Sequence, residues 1–126
     1  MITINIAALN INAIAAKTRI QMLSNFIFKQ DIDILLVQEV THLGIGNIYG
    51  YATHYNIGTS QRGTAVIARD NMELRNITKI PTGRAIAAEH KGTWIINIYA
   101  PSGAAKRGEL DKFFNTGLIY LLRTET

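Results

Sequence analysis

Apolar and polar positions alternate from Ile2 to Leu9, with Ile2, Ile4, Ile6 and Ala8 set against Thr3, Asn5, Ala7 and Leu9. Period two with β-branched residues predicts a strand. The asparagines of the "NINA" that follows favour a turn. From Lys17 to Gln30 the apolar residues fall at Ile20, Leu23, Phe26 and Ile27. That is the spacing of one helix face, so a helix over 17–30 packs one side inward. A turn at "QDID" leads to "DILLVQEV", residues 33–40, whose apolar run predicts a buried strand over 33–38. Strand, helix, strand is a crossover long enough for a parallel or mixed sheet.

The next stretch, "GIGNIYGYATHYNIGTSQRG", is rich in Gly, Tyr and Asn and predicts a loop with short edge strands. Four strands then follow in succession: "GTAVIAR", "MELRNITKI", "RAIAAEH" and "TWIINIYA". Lys91-Gly92 between the last two fits a two-residue hairpin turn. After the loop "PSGAAKRG", residues 109–122 predict a second amphipathic helix with Leu110, Phe113, Phe114, Leu118 and Leu121 inward. Gly117 weakens it, since glycine costs about 1 kcal/mol against alanine in a helix interior. The fold class is mixed α/β. The strands at 2–9, 33–38, 63–68 and 93–99 are expected to share one sheet. Two helices cover one face of it, and the other face should stay bare and apolar, which marks a missing partner.

Composition narrows the class. The 126 residues are 48% hydrophobic and 17% charged, as in a globular chain, and fit a single domain over 1–126. With no cysteine, disulfides and thiolate metal sites are excluded. No apolar run approaches the roughly 20 residues of a membrane span. The start "MITINIAALN" lacks a basic stretch and cleavage site. The expectation is an intracellular protein without a membrane partner. A net charge of +4 favours a polyanion such as nucleic acid, though a solvated basic surface explains it equally well.

Three polar residues stand where strands stop: Asn10, Glu39 and Tyr99. A carboxylate is expensive to bury unless something pairs with it. Rigid strand ends can aim several such groups at one point. A carboxylate, an amide and a phenol suit phosphodiester chemistry with a hard divalent cation, the carboxylate as oxygen ligand and the others as donors to phosphate oxygens. Each also has an ordinary role available: a turn asparagine, a solvated glutamate, a half-buried strand tyrosine. His42, His54 and His90 have no ligand-like spacing, and "GIG" does not continue into a phosphate-binding fingerprint.

"ALNIN", "LLVQEVTHL", "GTAVIAR" and "IINIYAPSG" occur in that order. Together they resemble the endonuclease/exonuclease/phosphatase superfamily, and most of all the apurinic-endonuclease-like domain of non-long-terminal-repeat retrotransposons. The resemblance implies a deoxyribonuclease I-like fold, a four-layer α/β sandwich of which this chain would form the N-terminal half. It implies Asn10 and Tyr99 in the active site and Glu39 on the metal, Mg²⁺ or Mn²⁺. Asn12, Arg19 and Ser102 become candidates for substrate contact, and DNA the substrate, cut as a nick or at abasic sites as in DNA repair. The nucleus is then among the candidate locations. There are departures: Ala13 stands where the family usually has glycine, Val40 intervenes after Gln-Glu, and Ser102 replaces a common asparagine. The family also continues into Gly-Asp-Phe-Asn and later aspartate and histidine motifs, before which this chain stops. The chain is therefore expected to be truncated, to be inactive alone and to partner the missing half or a retrotransposon polyprotein. Two rivals remain: a non-catalytic retrotransposon-derived fragment or interaction module, and a phosphatase acting on phosphoinositide or another phosphate ester.

Overall fold

The computed structural model describes residues 4–11, 17–41, 46–58, 62–81 and 83–99. The predicted helix at 109–122 lies outside them. Strand β1 spans Ile6–Asn10, helix α1 Lys17–Lys29 and strand β2 Ile34–Thr41. Strands β3 (Tyr51–Ile57), β4 (Arg62–Arg69), β5 (Leu74–Ile80), β6 (Ala85–His90) and β7 (Thr93–Ile98) follow. The first sheet has the order β1-β2-β4-β3, with β1 parallel to β2 and the other pairs antiparallel. β3 is thus the edge strand expected from the Gly- and Tyr-rich segment.

The expected single sheet is corrected here, because β5-β6-β7 form a separate antiparallel sheet. β2 and β4 already have both edges paired, so neither offers β7 a ladder. Instead β7 folds back on β6 through Lys91 and Gly92, with φ of 48° and 82°. Two successive positive φ values are those of the turn whose twist matches a hairpin.

The expected bare face is corrected by the same packing. On one side of the first sheet, Leu23 and Ile27 of α1 bury against Leu35, Val37, Val40, Ala65 and Ile67. On the other side Ile34, Val66 and Ala68 meet Ile86 of the second sheet, with Leu36, Leu74, Ile77 and Ile95 around them. The second layer therefore comes from the chain itself. Helix, sheet and sheet form half of an α/β sandwich. Each buried aliphatic side chain contributes about 1.5–3 kcal/mol of transfer free energy, and Ile27, Ile34, Leu35, Ile67 and Ile86 are all fully enclosed.

Asp33 fastens the start of β2. Its carboxylate accepts from the Asn5 N–H at 2.8 Å and from Arg69 Nε at 2.8 Å. Arg69 also reaches Asp31 Oδ1 and lies over the Tyr51 ring, 5.3 Å from its centroid. The hydrogen bond to Asp33 raises the Arg69 pKa above its ordinary value, and burial raises that of the Tyr51 phenol.

Gly63 is the second residue of β4, where β3 passes closest. A Cβ there would run into Asn56 O and lie 2.6 Å from Ile57 Cα, both backbone atoms. Neither can yield without breaking the β3–β4 register, in which Gly63 faces Ile57. Gly63→Ala should cost about 1–3 kcal/mol, the usual range for overpacking. It should also speed amide exchange across β3 before the rest of the sheet. Unchanged thermal unfolding would refute the close approach.

Candidate functional site

In a regular β2, Val37 and Val40 would face opposite ways. Both are buried against α1. The register explains this: Gln38 faces Thr64 and Val40 faces Gly63, leaving Glu39 as an extra residue. Glu39 has φ of 59°, a conformation that non-glycine residues rarely adopt. Such a bulge re-aims a side chain. Regular alternation would have sent this carboxylate into the apolar layer under α1. With the bulge, it meets β7's end.

There Tyr99 donates its hydroxyl proton to Glu39 Oε1 at 2.8 Å, across 60 residues of sequence. Glu39 is buried, 8% exposed, so this bond lies in a largely desolvated setting where a charge-assisted contact is strong. The Tyr99 N–H continues the β6–β7 ladder by donating to Arg84 O at 2.7 Å. The Arg84 guanidinium stacks 5.1 Å from the centre of the Tyr99 ring. A cation therefore covers the phenol on one side, while its hydroxyl contacts the carboxylate.

Asn10 ends β1 opposite Gln38 in the parallel register. Leu9 packs toward α1, so alternation places Asn10 on the face of the first sheet that Gln38 shares. Its side chain is exposed. Glu39 and Tyr99 are thus in contact, and Asn10 stands at the same end of the sheet. Asn12 and Ser102 lie outside the described residues, as does the side chain of Arg19 on α1.

Sequence reasoning missed Gln38, Asn56, Thr64 and Asn97. Asn10, Gln38, Thr64 and Asn56 lie on one level across β1, β2, β4 and β3. The last three donate into the second sheet. Asn56 Nδ2 reaches Ile80 O at 2.7 Å and Ala85 O at 2.6 Å. Thr64 Oγ1 reaches Gly83 O at 3.2 Å, and Gln38 Nε2 reaches Ile98 O at 3.2 Å. Asn97 answers from β7: its Nδ2 donates to Val37 O and Ala65 O at 2.9 Å each. Gln38 and Asn97 stand within "VQEV" and "NIY", where a polar residue one or two places before each candidate was the available signal.

Among the described residues no group of three or more Asp, Glu or His gathers to hold a metal. Glu39 supplies a single hard oxygen donor group, with an exposed amide at Asn10 nearby in register. Mg²⁺ is commonly bound through one or two carboxylates with waters and substrate phosphates completing its shell. The residues present fit that kind of ion and not an all-protein cage. His54, on β3, is half-buried and its pKa is lowered, chiefly by burial and then by the charge of Lys79. His90 is buried with an unpartnered Nδ1.

The sequence matches no family model and no curated protein. Solved structures do match its fold. An AP endonuclease from Archaeoglobus fulgidus aligns with a TM-score of 0.63 and 21% identity, covering 79% of this chain and 42% of that one. A truncated Caenorhabditis elegans TDP2 aligns at 0.66 and 17%, covering 94% and 55%. The endonuclease domain of TRAS1, a telomere-specific non-LTR retrotransposon, aligns at 0.58 and 11%, covering 89% and 52%. The chain thus spans about half the length of these structures and shares its fold with them. No helix of the described residues is long and apolar enough to cross a membrane.

His54 gives the region a pH signature. Its folded pKa lies below the ordinary 6.5, so the unfolded chain binds the extra proton first. Stability should be full above that value and fall as pH drops through it. Melting temperature should decline between about pH 7.5 and 5.5 in the wild type and decline less in His54→Gln. Equal slopes for the two would exclude His54 as the source.

Proposed function

We propose that this site belongs to a divalent-metal-dependent phosphodiesterase acting on DNA, an endonuclease of the apurinic/apyrimidinic type. The Tyr99–Glu39 contact, made between a bulged strand and a second sheet, is the observation that carries this reading. Glu39 would hold Mg²⁺ or Mn²⁺. When bound, the ion would polarise phosphate and lower the pKa of a water. Asn10 orients a phosphate oxygen or the attacking water. Tyr99 has one proton, and while that proton is given to Glu39 it is not given to substrate. A scissile phosphate oxygen must therefore compete with Oε1 for it, with Arg84 keeping the ring in place meanwhile. The net charge of +4 supports a polyanionic substrate.

The fold shared with AP endonucleases and a retrotransposon endonuclease domain supports DNA over a phosphoinositide. We infer further that the chain alone turns over little. Removing members of a cooperative catalytic set costs orders of magnitude, and the aspartate and histidine motifs of the family are not in this sequence.

Three measurements test the reading on the chain as it stands. In an NMR titration, Mg²⁺ should move resonances at Glu39 and Asn10 with weak affinity, and Glu39→Ala should abolish the effect. Shifts gathering at Glu73 or Asp111 would overturn the assignment. A duplex with an abasic-site analogue should bind more tightly with Mg²⁺, and Tyr99→Phe should weaken it roughly 2–10-fold, the worth of one hydrogen bond. Tighter binding of a phosphoinositide headgroup than of DNA would move the substrate to that class. Supercoiled plasmid should be nicked no faster than by Glu39→Ala.

A further inference from the structure

Glu39 and Tyr99 come from sheets that share no ladder, so backbone pairing cannot set the distance between them. Side chains must. Asn97 is 1% exposed, and the two hydrogens of its amide go to carbonyls on two neighbouring strands of the first sheet, Val37 O and Ala65 O. Val37 is two residues from Glu39, as Asn97 is from Tyr99. From the other side, Gln38 Nε2 donates to Ile98 O at 3.2 Å and makes a longer contact to Asn97 Oδ1 at 3.4 Å. Gln38 precedes Glu39 directly, and Ile98 precedes Tyr99 directly. Two amides thus cross the gap in opposite directions, one donating from β7 to β2 and one from β2 to β7.

Asn56 and Thr64, on the same level, bond to other segments of the second sheet, of which Ala85 pairs with Ile98 in the ladder. Their acceptors are Ile80, Gly83 and Ala85, at the β5–β6 end, and not β7.

We propose that Gln38 and Asn97 are positioning residues for the site, a reciprocal amide clamp that fixes the offset of β7 against β2 on which the Tyr99–Glu39 contact depends. This rests on Glu39 and Tyr99 being the functional pair. Neither amide performs chemistry; both act through their neighbours. A clamp with only a structural role would change stability and leave the geometry of the pair alone.

The test uses the full 126-residue chain with labelled tyrosine rings and glutamate carboxyl carbons. The variants are Gln38→Met, which keeps shape and removes the donor, and Asn97→Leu. Asn56→Leu serves as control, since it removes two bonds of the same row without touching β7. Both clamp variants should shift the Tyr99 ring signals toward those of Glu39→Gln, and the Glu39 carboxyl signal toward that of Tyr99→Phe. Mg²⁺ affinity at Glu39 should change at least threefold. Asn56→Leu should lower the melting temperature and leave both signals in place. A folded Gln38→Met with unmoved signals would overturn the proposal. So would equal shifts in Asn56→Leu, or failure of both clamp variants to fold where Asn56→Leu folds. If wild type shows no Mg²⁺ response, the metal reading falls, and the Tyr99 and Glu39 signals alone decide the clamp.

Discussion

One extra residue in β2 governs the site. A carboxylate on a buried strand must either reach solvent or find a donor, and strict alternation would have given Glu39 neither. The bulge turns it away from the layer under α1 while Val40 still fills that layer. The local cost is a glutamate with φ of 59°, a conformation worth of order 1–3 kcal/mol where a non-glycine residue is held in it. The surroundings that hold it are specific: the ladder resumes at Val40 against Gly63, and only glycine leaves room there for β3's backbone. Bulge, glycine and edge strand are thus one arrangement.

The second requirement is a donor from outside the sheet, and this makes the two-sheet packing functional. A buried amide without partners costs about 1–3 kcal/mol for each group left unsatisfied. Asn97 avoids this by donating twice, to carbonyls from Val37 and Ala65. Apolar residues of the same size would pack as well, but they would allow the sheets to slide. Hydrogen bonds of fixed direction supply the offset that dispersion does not.

Much of the fold is legible in the sequence because periodicity is local. The helix, the β4 to β7 strands and the Lys91-Gly92 turn follow from spacing and turn chemistry alone. The second sheet does not, since Ile34, Leu36 and Val66 look the same whether their facing layer comes from this chain or another. For the site, Glu39, Asn10 and Tyr99 are legible as polar residues at strand ends, and the Glu39–Tyr99 contact joins two of them. Glu39's direction is not, because a bulge is a relation between two strands and leaves no mark on one. Gln38 and Asn97 were hidden for a similar reason: an amide on a buried strand shows its use only once its acceptors, up to 60 residues away, are placed.

The two ends of the sandwich are held differently, and the difference follows from what each must do. Away from the site, Ile34, Val66 and Ala68 face the second sheet with apolar contact, and Asp33 with Arg69 ties β1, β2 and β4 within one sheet. Apolar packing tolerates small shifts because its energy depends on area and barely on angle. At the site end, Asn56, Thr64, Gln38 and Asn97 cross the gap instead. Polar side chains there give up hydrophobic stabilisation that aliphatic ones would have supplied. The loss is confined to the one level of the sandwich where a shift of an ångström would separate a phenol from its carboxylate, so the sequence places directional bonds where geometry matters and apolar contact where only burial does.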